Sequence, residues 1–254
     1  MANRFNRILL KLSGEAIALK NEDGDILSIF DSEKIDEIAG IIKKLHDEGV
    51  QVAIVIGGGN IWRGKYGAGV KRARADQMGM LATVMNCLRL EDAVEKAGCH
   101  ARVMTPIQMN SFTEPYDFRR AIDHLENGTV VIFGGGIGVP YVTTDTTIVV
   151  RGAEIGADVL LMAKNIDGIY AEDPRDAEGN IRPDVPKFKT ISYHECVVRG
   201  LDATDVSASD IAEKQKMNMY VFALSDPENI LRVVRGEEIG TFVTYDATAT
   251  TETY

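Results

Sequence analysis

The sequence predicts an α/β fold on an open, mainly parallel sheet, and three observations predict it. Apolar, strand-like runs recur along the chain, most of them continuous rather than alternating. Segments of helical periodicity lie between them. Strand and helix alternate from end to end, the arrangement that covers both faces of a parallel sheet.

RILLKLS (7–13) reads as the first strand. EKIDEIAGIIKKLHDEG then places Ile35, Ile38, Ile41, Ile42 and Leu45 at three- and four-residue steps, one apolar helical stripe that stops at Gly49. QVAIVI (51–56) is the next strand. DQMGMLATVMNCLRLEDAVEKAG predicts a long helix opened by Asp76 as its cap and closed by Gly98. After the strand ARVMT (101–105), EPYDFRRAIDHLENG predicts a helix with Pro115 near its first turn and Gly128 past its end. TVVIF (129–133) and DVLLMA (158–163) are strands, as are MYVFAL (219–224) and GTFVTY (240–245). Between the last two, SDPENILRVVRG puts Ser225 and Glu228 at capping-box spacing. The polar stretch DATATTETY (246–254) is expected to be disordered. A composition change near residues 150–157 divides one domain, 1–245, into lobes of about 1–150 and 151–245 that share a sheet.

With 254 residues, 45% of them hydrophobic, the chain can bury a sizeable core. A formal net charge of −10 disfavours a broad nucleic-acid-binding face, so any phosphate site has to be built locally. No apolar run reaches the ~18 residues of a membrane helix, and the basic start lacks the apolar length of a secretory leader. Cytoplasmic residence without membrane partners is the expectation. Cys87, Cys99 and Cys196 form no CxxC and are expected as buried free thiols. His46, His100, His124 and His194 form no HExxH.

Ligands of a parallel sheet bind beyond the carboxyl ends of its strands, and three candidate loops lie there. They are KLSGE (11–15), GGGNIWRG (57–64) and GGGIGVPYVTTDTT (134–147). Glycine permits positive φ and lets a backbone N–H reach a phosphate oxygen without a Cβ in the way. No GxxxxGK[ST] loop, GxGxxG turn or GxSxG elbow occurs, which disfavours dinucleotide binding, P-loop hydrolysis and acyl transfer. Several phosphate cradles without a general base suit a phosphoryl transferase whose acceptor is already ionised. A phosphate monoester, with its second pKa near ~6, meets that condition at neutrality. Catalysis then reduces to alignment and charge neutralisation. Lys11 and Arg63 could supply cations, and Asp145 could hold Mg²⁺ or orient a lysine.

RILLKLSGEA, IVIGGGNIWRG, DQMGMLATVMN, PYVTTDT, RGAEIGADVLLMAKNIDGIYAEDPR and LRVVRGEEIGT occur in order from residue 7 to residue 241. Together they resemble the bacterial uridylate (UMP) kinases of the amino acid kinase superfamily. The resemblance implies an α/β/α sandwich and transfer of the γ-phosphoryl group of MgATP to UMP, giving UDP and ADP. It implies UMP in the N-terminal lobe and ATP in the C-terminal lobe. Lys11, Leu12, Ser13 and Gly14 match the stretch at the ATP phosphates, with Gly59 and Arg63 also on the ATP side. Gly58 matches the glycine facing the UMP phosphate, and Asp76 the carboxylate for the ribose hydroxyls; from the residues alone Asp76 reads rather as a helix cap. Ile137, Gly138, Val139, Pro140, Tyr141, Val142, Thr143 and Thr144 match the segment wrapping UMP, with Thr144 and Asp145 nearest the chemistry. Lys164 or Asn165, Tyr170 and Asp173 match the adenine-nucleotide loop, and Asp205 an acidic position that orients the catalytic lysine. The catalytic set so implied is Lys11, Arg63, Asp145 and Asp205. A homohexamer activated by GTP and inhibited by UTP is implied as well; the only sequence sign of association is Met78, Met80 and Met85 on the long helix. Val139 and Val142 stand where the family pattern has an amide and an aromatic residue. AKNIDG is one residue shorter than the family's version, which leaves Lys164 and Asn165 as alternatives. The segment 19–33 lies where the family often carries a GTP-responsive loop, but it is acidic and is assigned no regulator site.

Overall fold

All seven apolar runs form strands of one sheet in the computed structural model, which describes residues 3–62, 69–175, 181–182, 184–201, 204–249 and 251–254. The N-terminal half runs β1 (Arg7–Leu12), a 3₁₀ turn (Gly14–Ile17), β2 (Leu19–Lys20), β3 (Ile26–Ser28), α1 (Ser32–Asp47), β4 (Gln51–Ile56), α2 (Arg72–Lys96) and β5 (Ala101–Thr105). There follow β6 (Glu114–Pro115), α3 (Phe118–Glu126), β7 (Val130–Phe133), α4 (Thr144–Ile155) and β8 (Val159–Lys164). The remainder is β9 (Phe188–Ser192), α5 (Tyr193–Arg199), α6 (Val206–Lys214), β10 (Met219–Ala223), α7 (Glu228–Val234), β11 (Thr241–Thr244) and β12 (Glu252–Thr253).

The sheet order is β12-β9-β11-β10-β8-β1-β4-β7-β5-β6, with β2 and β3 forming a separate hairpin. Pairing is parallel except at β10–β11 and β12–β9. Strand alternation splits the core in two. Ile8, Leu10 and Leu12 of β1 pack with α1, α2 and α7 on one face, while Leu9 packs with α3, α4, α5 and α6 on the other. The result is a three-layer α/β/α sandwich. Gly152 of α4 lies so close to the sheet that a Cβ would sit 2.5 Å from Leu160 Cδ2, which seats α4 directly over β1 and β8. No helix among the described residues is long and apolar enough to cross a membrane, and Cys87, Cys99 and Cys196 are buried free thiols.

Four local expectations are corrected. Asp76 is not a cap: α2 begins one turn earlier, at Arg72. Pro115 lies in β6, and Asp117 caps α3 by accepting from Arg119 and Arg120 N–H. No capping box forms at Ser225; Asp226 Oδ1 instead accepts from Glu228 N–H at 3.0 Å. The stretch expected to be disordered supplies β12, which pairs with β9.

The strands flanking the sheet's centre explain where a ligand can enter. From β1 the chain moves toward β4, whereas from β8 it moves to β9 at the opposite side. Beyond the carboxyl ends of the adjacent β1 and β8 the loops therefore part, and a crevice opens.

Candidate functional site

β1 carries Lys11 to that crevice, and α4 brings Asp145 over it. Lys11 Nζ and Asp145 Oδ1 are 3.1 Å apart, both side chains mostly shielded from solvent. Thr143 caps α4, its Oγ1 accepting from Asp145 and Thr146 N–H at 3.2 Å. The first residues of α4 thus divide two clefts. Asp145 lines the larger, of about 800 Å³, and Thr143 and Thr144 line the smaller, of about 230 Å³.

The larger cleft gathers Lys11, Ser13, Asp145, Lys164, Asn165, Tyr170 and Asp173, whereas Gly14 and Gly59, also expected on the ATP side, do not line it. Lys164 and Asn165 both line it. Arg175 and Arg199, which motif reading missed, add cations at its wall. The Leu12 side chain is buried in the core, leaving only its backbone for a ligand. Asp173 Oδ1 accepts from Arg175 N–H at 3.0 Å, which folds the loop on itself. Tyr170 donates to Asp167 Oδ1 at 2.7 Å, and burial together with that bond pushes its hydroxyl up to about 12.

The smaller cleft gathers Gly58, Asp76, Ile137, Val139, Val142, Thr143 and Thr144 from the expected UMP side. Gly138, Pro140 and Tyr141 do not line it; Gly138 has φ +88 and packs against Pro106, while Tyr141 is 68% exposed. Asp76 is held by Arg72, whose Nε donates at 2.8 Å, and by Tyr141 N–H at 2.9 Å. The carboxylate thereby joins α2 to the segment after the second glycine run. Trp62, also missed, lines the same cleft and donates its Nε1–H to Ala75 O at 2.9 Å. Arg63, one of the two expected cations, lies outside the described residues.

Asp205 stands behind this boundary rather than on Lys11. It caps α6, accepting from Ala208 N–H at 2.8 Å, and also accepts from the hydroxyls of Thr143 and Thr146. It therefore ties α6 to the start of α4. Among the described residues, the carboxylate paired with Lys11 is Asp145.

The first glycine run is held from below by polar side chains that the motif search did not single out. Asn86, fully buried on α2, donates to Gly57 O at 2.6 Å and to Asn60 Oδ1 at 2.7 Å. Asn60 returns a bond to Asn86 Oδ1 and donates to Ile29 O at 2.7 Å. A Cβ on Gly14 would lie 2.5 Å from Gly57 O, and one on Gly58 would lie 2.9 Å from both Gly79 O and Ala82 Cβ. Gly14 and Gly58 thus admit neighbouring elements of the protein itself. Thr83 Oγ1 accepts from Gly135 N–H at 2.8 Å, so α2 braces both glycine runs. The "GGGN" asparagine was the available signal for this brace.

No group of three His, Cys, Asp or Glu suited to a metal occurs among the described residues. The chemistry on offer is a cation, a carboxylate and a helix N-terminus at the wall between two clefts.

The amino acid kinase family model matches residues 6–223. The fold is similar to a UMP kinase from Bacillus anthracis, with TM-score 0.88 and 35% identity over 98% of this chain and 99% of that one. It is similar to a UMP kinase from Ureaplasma parvum, with TM-score 0.85 and 32% identity over 95% and 99% of the two chains. A uridylate kinase from Archaeoglobus fulgidus matches with TM-score 0.68 and 29% identity over 93% and 99%. On this agreement of family model, fold and site architecture, the chain belongs to the amino acid kinase family.

Proposed function

We propose that the chain transfers the γ-phosphoryl group of ATP to UMP, giving UDP and ADP, and so serves pyrimidine nucleotide synthesis. The observation that carries this reading is that the start of α4 stands between two clefts, with Asp145, ion-paired to Lys11, on the larger and Thr143 and Thr144 on the smaller. The two UMP kinases above 30% identity, each matched over nearly its whole length, support UMP as acceptor over carbamate, acetylglutamate or isopentenyl phosphate. The larger cleft then takes ATP and the smaller one UMP.

The chemistry asks little of the protein beyond placement. The UMP phosphate is mostly dianionic near neutrality and needs no base. Lys11 lines the larger cleft beside Asp145, next in sequence to Thr144 of the smaller one, and there its charge would count most in the transition state. Asp145 holds the ammonium in place. The positive end of the α4 dipole favours negative charge beside it. Magnesium fits as a passenger on the triphosphate, because it typically takes one or two carboxylates and fills its shell with phosphates and water. Asp145 is the carboxylate that would hold it, and the ion would offset phosphate charge.

Release of ADP, measured by a coupled assay with each of the four acceptors, tests the assignment. UMP should be the preferred acceptor by orders of magnitude. Binding of ATP and UMP without formation of UDP would instead make the chain a silent nucleotide-binding regulator. The same reading includes a homohexamer, GTP activation and UTP inhibition. Its support is a face of α2 where Met78 and Met85 are exposed, while Met80 is buried. Light scattering in solution, and rates with each nucleotide added, test those parts.

A further inference from the structure

β12 lies at the sheet edge, yet a run of contacts leads from it to the larger cleft. Glu252 pairs with Thr190 of β9, and Tyr254 N–H donates to Lys187 O at 3.0 Å. The Tyr254 hydroxyl lies within hydrogen-bond reach of Glu238 O and Gly240 O, at 3.3 and 3.0 Å. Anchored at both ends, the ring stands 4.6 Å from Lys187 Nζ, a cation–π contact. Lys187 turns its ammonium to Asp167 Oδ2 at 2.9 Å, and Asp167 Oδ1 accepts from Tyr170, a lining residue of the cleft. The lysine stem also backs Gly168, where a Cβ would lie 3.0 Å from Lys187 Cδ. Burial would raise the Asp167 carboxyl, but the bonds from Lys187 and Tyr170 hold it below the usual carboxylate range. It stays an anion and Tyr170 a donor, so the relay is whole at neutral pH.

We infer that Tyr254 and Lys187 are positioning residues for the nucleotide in the larger cleft: the β12 segment straps Lys187, and Lys187 sets the loop from Asp167 to Tyr170. Neither residue touches the reacting atoms. The inference rests on the larger cleft being the ATP side.

Two readouts test it. Hydrogen exchange of the Ile169 and Ala171 amides reads the strap itself, and KM for ATP reads its consequence. Tyr254→Ala should speed exchange at those amides and raise KM for ATP about threefold to fivefold, the range of an exposed cation–π contact. KM for UMP should hold, and Tm should fall by no more than about 4 °C. Tyr254→Phe keeps the ring and should behave much closer to the parent chain. Lys187→Met should match or exceed Tyr254→Ala, and the double variant should be no worse than Lys187→Met alone, because both act through one path. Unchanged exchange in Tyr254→Ala, or additive effects, would overturn the strap. Faster exchange with an unchanged KM for ATP would overturn the positioning role. If the unaltered chain made no UDP, the functional reading would fall, while hydrogen exchange would still decide the strap.

Discussion

At Gly57–Gly59 the absent side chains make room, whereas at Gly134–Gly138 they mostly free the backbone. Neither Gly57 nor Gly58 has a positive φ; Gly58 is small because α2 passes with Gly79 O and Ala82 Cβ each 2.9 Å from where a Cβ would be. In the second run Gly135, Gly136 and Gly138 take φ of +76, +60 and +88, a region that costs other L-residues about 1–2 kcal/mol. Gly134, without a positive φ, is hemmed in by Cys87 and Val84 at 3.2 and 3.3 Å, and Gly138 adds to its φ a close Pro106 Cβ at 3.1 Å. Two identical triplets therefore solve different problems. The first is a fitted joint between β1, β4 and α2; the second is a sharply bent arm that reaches the start of α4.

If both runs are scaffold, the largest loss of turnover should come from the cation between the clefts. Lys11→Ala is expected to lower turnover about 10³-fold, in line with removal of a group that acts mainly in the transition state, while UMP still binds. Steady-state rates with calorimetry of UMP binding check this. Near-normal turnover would remove Lys11 from the chemistry and give weight to the glycine amides.

The fitted joint should be the more fragile of the two runs. Asn86→Ala strips partners from Gly57 O and from the Asn60 side chain in a fully buried setting, at a cost of about 3 kcal/mol. For a chain of this size, Tm should fall by roughly 6–12 °C. Gly58→Ala meets a helix carbonyl that cannot swing aside, and overpacking of that kind costs about 2 kcal/mol. Thermal melts of the two variants rank them. A neutral Gly58→Ala would mean that α2 is free to shift, and the distinction between the runs would lose half its basis.

Periodicity exposed the seven main strands because each is a continuous apolar run flanked by turns. It missed β9, FKTIS, whose middle residues Lys189 and Thr190 are polar and only partly buried near the sheet edge. It also passed over α4, whose β-branched Ile148, Val149 and Val150 weaken a helical signal, although Thr143 caps the segment and Gly156 ends it in the left-handed region. Asp76 looked like a cap because a carboxylate before an apolar run usually is one. Its partners are Arg72, one turn earlier on the same helix, and Tyr141 N–H, 65 residues away, and no local spacing encodes the second. For the same reason Lys11, Ser13 and Asp145 were legible as chemistry-bearing letters in glycine-rich loops, whereas the Asn60–Asn86 amide pair and the Thr83–Gly135 bond were not. They exist only once α2 lies across both loops.

A smaller effect separates the runs most cleanly. Gly136, at φ +60, has room around it: the nearest atom to an added Cβ is Thr147 Oγ1 at 3.6 Å. Its cost on substitution should come from conformation alone. Gly136→Ala should lose about 1–2 kcal/mol, and Gly136→Asn less, because asparagine tolerates the left-handed region better than alanine. At Gly58 the order should invert. Asparagine adds bulk where no bulk fits, so Gly58→Asn should melt below Gly58→Ala. Thermal midpoints of the four variants, taken without ligand so that cleft contacts do not enter, decide the matter. The same order at both positions would mean that size governs both runs, and the bent-arm account of the second would fail.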